Sequence, residues 1–92
     1  MPGIATLTFG CLTPTSTLYT ARPDFSTTNI CTASTQSVYT SGSWTIGTIV
    51  YSDAALTTAV TGYNYIVNTA DGIIYEINVS TGEIQFDSGL TC

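Results

Sequence analysis

YNYIVNTADGIIYEINVSTGEIQF, running from Tyr63 to Phe86, is the stretch whose reading decides the fold. Three apolar-rich runs are separated by Asn-Thr-Ala-Asp-Gly and by Ser-Thr-Gly-Glu. In the middle run Ile73, Tyr75, Ile77 and Val79 fall on one side of a period of two, and Ile74, Glu76 and Asn78 fall on the other. That alternation predicts a strand with one core face and one wet face. The glycine in each separator supplies the positive φ of a tight turn, and Asp71-Gly72 is a strong hairpin dipeptide. The stretch is therefore expected to form a three-stranded meander. Keeping Tyr63, Tyr65 and Val67 on the side of Ile73, Tyr75 and Ile77 pairs Tyr65 with Tyr75. Placing Ile84 and Phe86 there too pairs Val79 with Ile84, Ile77 with Phe86, and Glu76 with Asp87.

Working outward, Trp44 to Tyr51 reads as another strand. Trp44, Ile46, Thr48 and Val50 share one face, and Ile49 and Tyr51 lie on the other, so both sides are expected to be covered. Between that run and the meander, Asp53 is placed to accept backbone hydrogen bonds in an Asx-turn or to cap one helical turn, with Leu56 and Val60 as anchors. Towards the amino end, Ile4 to Leu12 alternates as a first strand, a short run from Thr17 to Ala21 returns as a second, and Gln36 to Thr40 forms another around Val38 and Tyr39. Arg22 to Gln36 is Ser/Thr-rich and irregular, and it reads as a loop pinned by Phe25 and Ile30. The expected fold is all-β: one domain over residues 1–92, an antiparallel sandwich or Greek-key barrel of about six or seven strands ending in the meander.

Composition supports β-structure and removes several functions. Hydrophobic residues make up 43% and charged residues 8% of the 92, so nineteen Thr and nine Ser must supply much of the polar surface. Thr and Tyr suit strands, and there is no Lys to serve a helix surface. The net charge is -5 with Arg22 the sole basic residue. One arginine cannot neutralise a run of phosphates, so no nucleic-acid partner is expected, and anionic membrane is disfavoured on the same ground. No secretory signal is legible at the amino end, so a complete chain is expected to fold in the cytoplasm unless a route without such a signal exports it.

Catalysis is equally hard to place. The chain has neither His nor Lys to act as base for a Ser or Cys nucleophile. The carboxylates of Glu76 and Asp87 are the one pair the register brings together, on an open strand face with no cleft, and a solvated pair is the better reading. Asp71 with Asn68, and Asp53 with nearby carbonyls, read as turn formers rather than calcium ligands. The triplet Asn78-Val79-Ser80 fits a glycosylation acceptor but enters a tight turn and is given no role. Cys11, Cys31 and Cys92 lack metal-ligand spacing. Cys11 reads as a buried apolar residue, and an oxidising environment would let Cys92 staple the terminus to Cys31. Neither enzyme activity nor a cofactor or metal is expected. Trp44, Tyr51, Tyr63 and Tyr65 would stack on sugars if exposed, but their strand periodicity favours a place in the core or a subunit contact.

The segment Val50-Tyr-Ser-Asp-Ala-Ala-Leu-Thr-Thr-Ala-Val60, with Gly62-Tyr-Asn-Tyr after it and a terminal Cys, resembles a small β-rich module of surface and virion proteins of Bacteroidota and their tailed phages, including crAss-like and flavobacterial phages. The resemblance covers the second half of the chain, and in such modules an upstream Cys often accompanies the terminal one, a position Cys31 fits loosely. It implies a phage virion structural protein, an auxiliary or decoration protein of the capsid, assembled in the host cytoplasm, binding the major capsid protein, other virion subunits or copies of itself, as a homo-oligomer or in many copies on a particle. The alternatives are a carbohydrate-binding fibre or adhesin module and a subunit of an extracellular filament. The expected interaction surface comprises Arg22, Asp24, Phe25 and Ile30 of the irregular passage, Trp44, Ile49 and Tyr51 of the doubly apolar run, and Ile74 on the outer row of the meander.

Overall fold

A computed structural model describes residues 15–92, so the strand expected at Ile4 to Leu12, and Cys11 with it, lie outside the described residues. The described chain is all-β. Strands β1 (Thr17–Asp24), β2 (Gln36–Thr40), β3 (Tyr65–Asn68), β4 (Ile73–Ile77) and β5 (Ile84–Thr91) form one antiparallel sheet in the order β2-β1-β3-β4-β5. The meander β3-β4-β5 is present at the carboxyl end. In place of the expected sandwich or barrel, the described residues make a single open sheet whose two faces are covered by loops.

The inner strand β1 shows how sequence sets this topology. β1 pairs with β2 from Thr17 to Ala21 and with β3 from Ala21 to Asp24. Pro23 has no amide to donate, and it sits where β2 has already left, so the missing donor faces no ladder. The opposite side remains bonded: the Asp24 carbonyl accepts from the Asn64 amide at 3.2 Å and the Thr20 carbonyl from the Thr69 amide at 3.0 Å.

One face of the sheet presents Tyr19, Ala21, Val38, Ile66, Tyr75, Ile77 and Ile84, and the segment 41–64 lays Trp44, Val50, Val60 and Tyr63 across it. The other face presents Val67 and Ile74 with Tyr65 at their side, covered by Ile30 from a 3-10 turn at Ile30–Thr32. Full burial of a Val or Ile stabilises by roughly 1.5–3 kcal/mol, so even the smaller cluster is a substantial anchor for its turn. A disulfide between Cys31 and Cys92, with Cα atoms 5.4 Å apart, fixes that turn to the end of β5.

Trp44 to Tyr51 is not a strand. Only Ile49 and Tyr51 form isolated bridges there, to Glu83 and to Tyr39 and Ala59. Trp44 and Val50 point into the core, whereas Ile46 is exposed. Gly47 at φ 96 breaks the extended run between them. The meander also departs from the simple register: Tyr65 pairs with Glu76, Ile66 with Tyr75 and Val67 with Ile74. The cause is the turn, where the Asn68 carbonyl accepts from the Gly72 amide at 2.9 Å and closes a longer loop than a two-residue Asp-Gly hairpin. Between β4 and β5, irregularities at Ile74/Tyr75 and Glu76/Ile77 place Asp87 opposite Tyr75, Phe86 opposite Glu76 and Ile84 opposite Ile77. Val79, expected in the core opposite Ile84, is exposed in the turn.

The covering loop is fastened at one crowded point. The Gly82 carbonyl accepts from the Val50 amide at 2.9 Å, and the Val50 carbonyl accepts from the Val60 amide at 2.8 Å. A Cβ on Gly82 would lie 2.7 Å from the Val60 carbonyl oxygen and 3.1 Å from that of Val50, at a φ of 76 that favours glycine. Gly82→Ala is therefore expected to cost about 2 kcal/mol or more, from left-handed strain plus displacement of the loop. Urea unfolding checks this, and an unchanged midpoint would show that the three backbones do not need to meet.

Candidate interaction surface

The surface offers contact rather than enclosure. No cavity opens among the described residues, and no group of three or more His, Cys, Asp or Glu side chains gathers there as a metal site would require. Glu76 and Asp87, expected as neighbours, are separated by the observed register: Glu76 lies opposite Phe86 on one face and Asp87 opposite Tyr75 on the other. The turn formers do what their residue types suggest. Asp71 Oδ1 accepts from the Ile73 amide at 2.9 Å, Asn68 Oδ1 from the Ala70 amide at 3.0 Å, and Asn78 Oδ1 from the amides of Ser80 at 2.8 Å and Thr81 at 3.1 Å. The Asn78 side chain is thus the lock of the β4–β5 turn.

Three of the expected surface residues belong to the core. Ile30 is fully buried over Val67 and Ile74, so the irregular passage uses it as a plug. Ile74, assigned to an outer row, is buried beneath that plug because the second sheet face is covered instead of wet. Trp44 is buried against Tyr19, with ring centroids 4.9 Å apart, and its Nε1 has no hydrogen-bond partner. Ile49 and Tyr51 are half-buried in the covering loop. Arg22 is half-buried, its Nε donating to the Ala33 carbonyl at 2.9 Å, which ties the loop after the 3-10 turn to β1. Asp24 Oδ1 accepts from the Phe25 amide at 2.7 Å. The Phe25 ring is 65% exposed and lies 5.4 Å from that of Tyr63.

Register places side chains that sequence periodicity did not bring together. Asp24, Tyr65, Glu76 and Phe86 are successive partners across β1, β3, β4 and β5, and they form one row on the face that carries Ile30. The next row runs Arg22, Val67, Ile74, Leu90. Phe86 is 60% and Leu90 49% exposed, so the β5 side of this face is apolar and open beyond the edge of the plug. Phe86 escaped the sequence reading because a uniform register turned it to the core.

Both outer edges of the sheet are blunted. On β2, Tyr39 exchanges two backbone hydrogen bonds of 2.7 Å with Tyr51. On β5, Ile84 donates to the Thr48 carbonyl at 2.8 Å and accepts from the Gly47 amide at 2.7 Å. Farther along β5, Asp87 Oδ1 takes the Gly89 amide at 2.8 Å, with Gly89 at φ 83, so the strand is kinked where its edge would be free. Such devices oppose pairing of edges between molecules.

Two ionisable groups depart from their ordinary behaviour. Asp53 is held below its ordinary carboxylate value by the hydroxyl of Thr57, which donates to Oδ2, and by the Thr58 amide, with desolvation opposing and the Thr57 amide adding to the effect. Tyr75 is raised, first by desolvation and then by the carboxylates of Asp71 and Asp87. Neither group faces a cleft, and the Asp53 cluster is the lock of the 52–58 turn.

No family model matches the chain, and no curated protein or solved structure matches it. No helix among the described residues is long and apolar enough to cross a membrane.

Two outcomes follow. Because Asp53 is depressed in the folded state, its contribution is fully present above the unfolded carboxylate value and is lost as pH falls through the lower folded value. Urea midpoints measured downward from pH 5 should therefore fall less steeply in Asp53→Asn than in the parent, and identical slopes would remove the carboxylate from the turn. The Cys31–Cys92 bridge closes a separation of 61 residues. By chain entropy its loss in Cys31→Ser should cost about 4 kcal/mol. Hydrogen exchange should quicken first at residues 25–35, and uniform loss of protection would count against a local clamp.

Proposed function

We propose that the protein is a phage virion structural protein, an auxiliary or decoration protein of the capsid, that works by contact with major capsid subunits or other virion proteins. The observation that supports action by contact is that no cavity opens among the described residues, while Leu18, Phe25, Ile46, Val79, Phe86 and Leu90 are left exposed. Assignment to a particle rests on the resemblance of Val50 to Val60 and its flanks to virion modules. A disulfide between residues distant in sequence suits a protein assembled in a reducing host cytoplasm and oxidised after release. The acidic balance suits a particle surface that must shed nucleic acid at lysis.

The competing readings each lose their main support. A sugar platform would need Trp44, which is buried, and Tyr51, Tyr63 and Tyr65, which are only half-exposed. A filament made by strand addition would need an open edge, and the loop bonds at Tyr39 and at Ile84, with the Gly89 kink farther along β5, work against such pairing. Mass spectrometry of purified phage particles should find the protein at high copy number, and its absence from them would sink the proposal.

A further inference from the structure

We infer that the row Asp24, Tyr65, Glu76, Phe86, with Leu90 beside it, is the docking face for a partner protein that presents Lys or Arg alongside aliphatic side chains. This deepens the proposed function and rests on its premise of action by protein contact. Adjacent strands are about 4.8 Å apart, so the row spans roughly 14 Å from β1 to β5. It alternates carboxylate, aromatic, carboxylate, aromatic. Its centre is half-buried, whereas about half or more of Phe86 and Leu90 is exposed. An apolar pair of that exposure gains by being covered.

Charge selects what covers it. A body lying over Phe86 also takes water from Glu76 and Asp24, and a carboxylate losing water needs a cation or donors in return. The chain's only basic side chain is Arg22, and its Nε is committed to Ala33. A second copy would thus bring two more carboxylates to the face and one committed arginine. The partner must be a different molecule and must carry the cations itself. Lys and Arg serve both halves of the row, since their heads pair with carboxylates and their stems and charge sit well against aromatic rings. The loop bonds at Tyr39 and Ile84 and the kink at Gly89 disfavour extension of the sheet, so the partner lies on the face.

The test is an NMR titration of the oxidised full-length protein with a short synthetic peptide of alternating Arg and Val. The counterpart of alternating Glu and Val, and a chitin oligosaccharide, serve as comparison probes. Amide shifts should move at Asp24, Tyr65, Glu76, Phe86 and Leu90 with the basic peptide alone, and added salt should weaken the response. Glu76→Lys and Phe86→Ser should each lower affinity about tenfold, whereas Ile46→Ser, at an exposed apolar residue of the covering loop, should not. The salt dependence uses the parent protein and stands if a variant fails to fold. The inference is overturned by scattered or absent shifts, by an equal response to the acidic peptide, by binding of the oligosaccharide at this face, or by sedimentation that shows self-association removed by Phe86→Ser. Absence from particles would end the virion reading and leave the titration result standing. A failed titration of a protein found in particles would move the contact to another face.

Discussion

A single sheet has two faces, and among the described residues loops, not a second sheet, supply the apolar cover of both. The rest of the structure depends on that cover. The long segment 41–64 covers one face with Trp44, Val50, Val60 and Tyr63, and the short passage around the 3-10 turn covers the other with Ile30. Loops used as layers bring their own backbone groups, which must be bonded. The covering segment therefore attaches itself to the sheet at Tyr39, Ile84 and Gly82, and those attachments occupy strand edges as a by-product. Core formation and edge protection come from the same residues.

This arrangement separates a rigid part of the surface from an open one. The Tyr39–Tyr51 exchange, the Ile84 contacts with the loop and the disulfide secure β2, the beginning of β5 and its end. Between those points Phe86 and Leu90 extend past the plug formed by Ile30. The open region is therefore a face supported on both sides, which favours a preformed contact over one that must be ordered on binding.

The β class was legible from the Thr and Tyr content and from period-two runs, and β2 lies at Gln36 to Thr40 as its sequence suggests. Side-chain direction was much less legible. Alternation assigns faces only if one face is wet, and Ile74 is as buried as Ile77 because both faces are covered. Register failed by a single residue at Tyr65 because the Asn68 carbonyl accepts from Gly72, a bond that turn propensity does not reveal. Trp44 to Tyr51 alternates as well as any strand, yet it has no continuous partner. Its apolar side chains answer to the sheet beneath and its backbone to three separate sites. The row from Asp24 to Phe86 draws one residue from each of four strands, so it existed in the sequence only as four unrelated positions.

The bridge between Cys31 and Cys92 has a mechanical meaning as well as a thermodynamic one. It closes β2 to β5 into a covalent ring and leaves β1 and the chain before residue 31 outside it. Tension applied between residue 15 and residue 92 passes through the sulfur atoms, bypasses the meander and loads β1, the strand held between β2 and β3. Extension is limited to the residues before the bridge, roughly 53–58 Å of fully drawn chain. A protein fixed at those two points would yield by sliding out one inner strand, and the ring, with its covered sheet, would hold its shape.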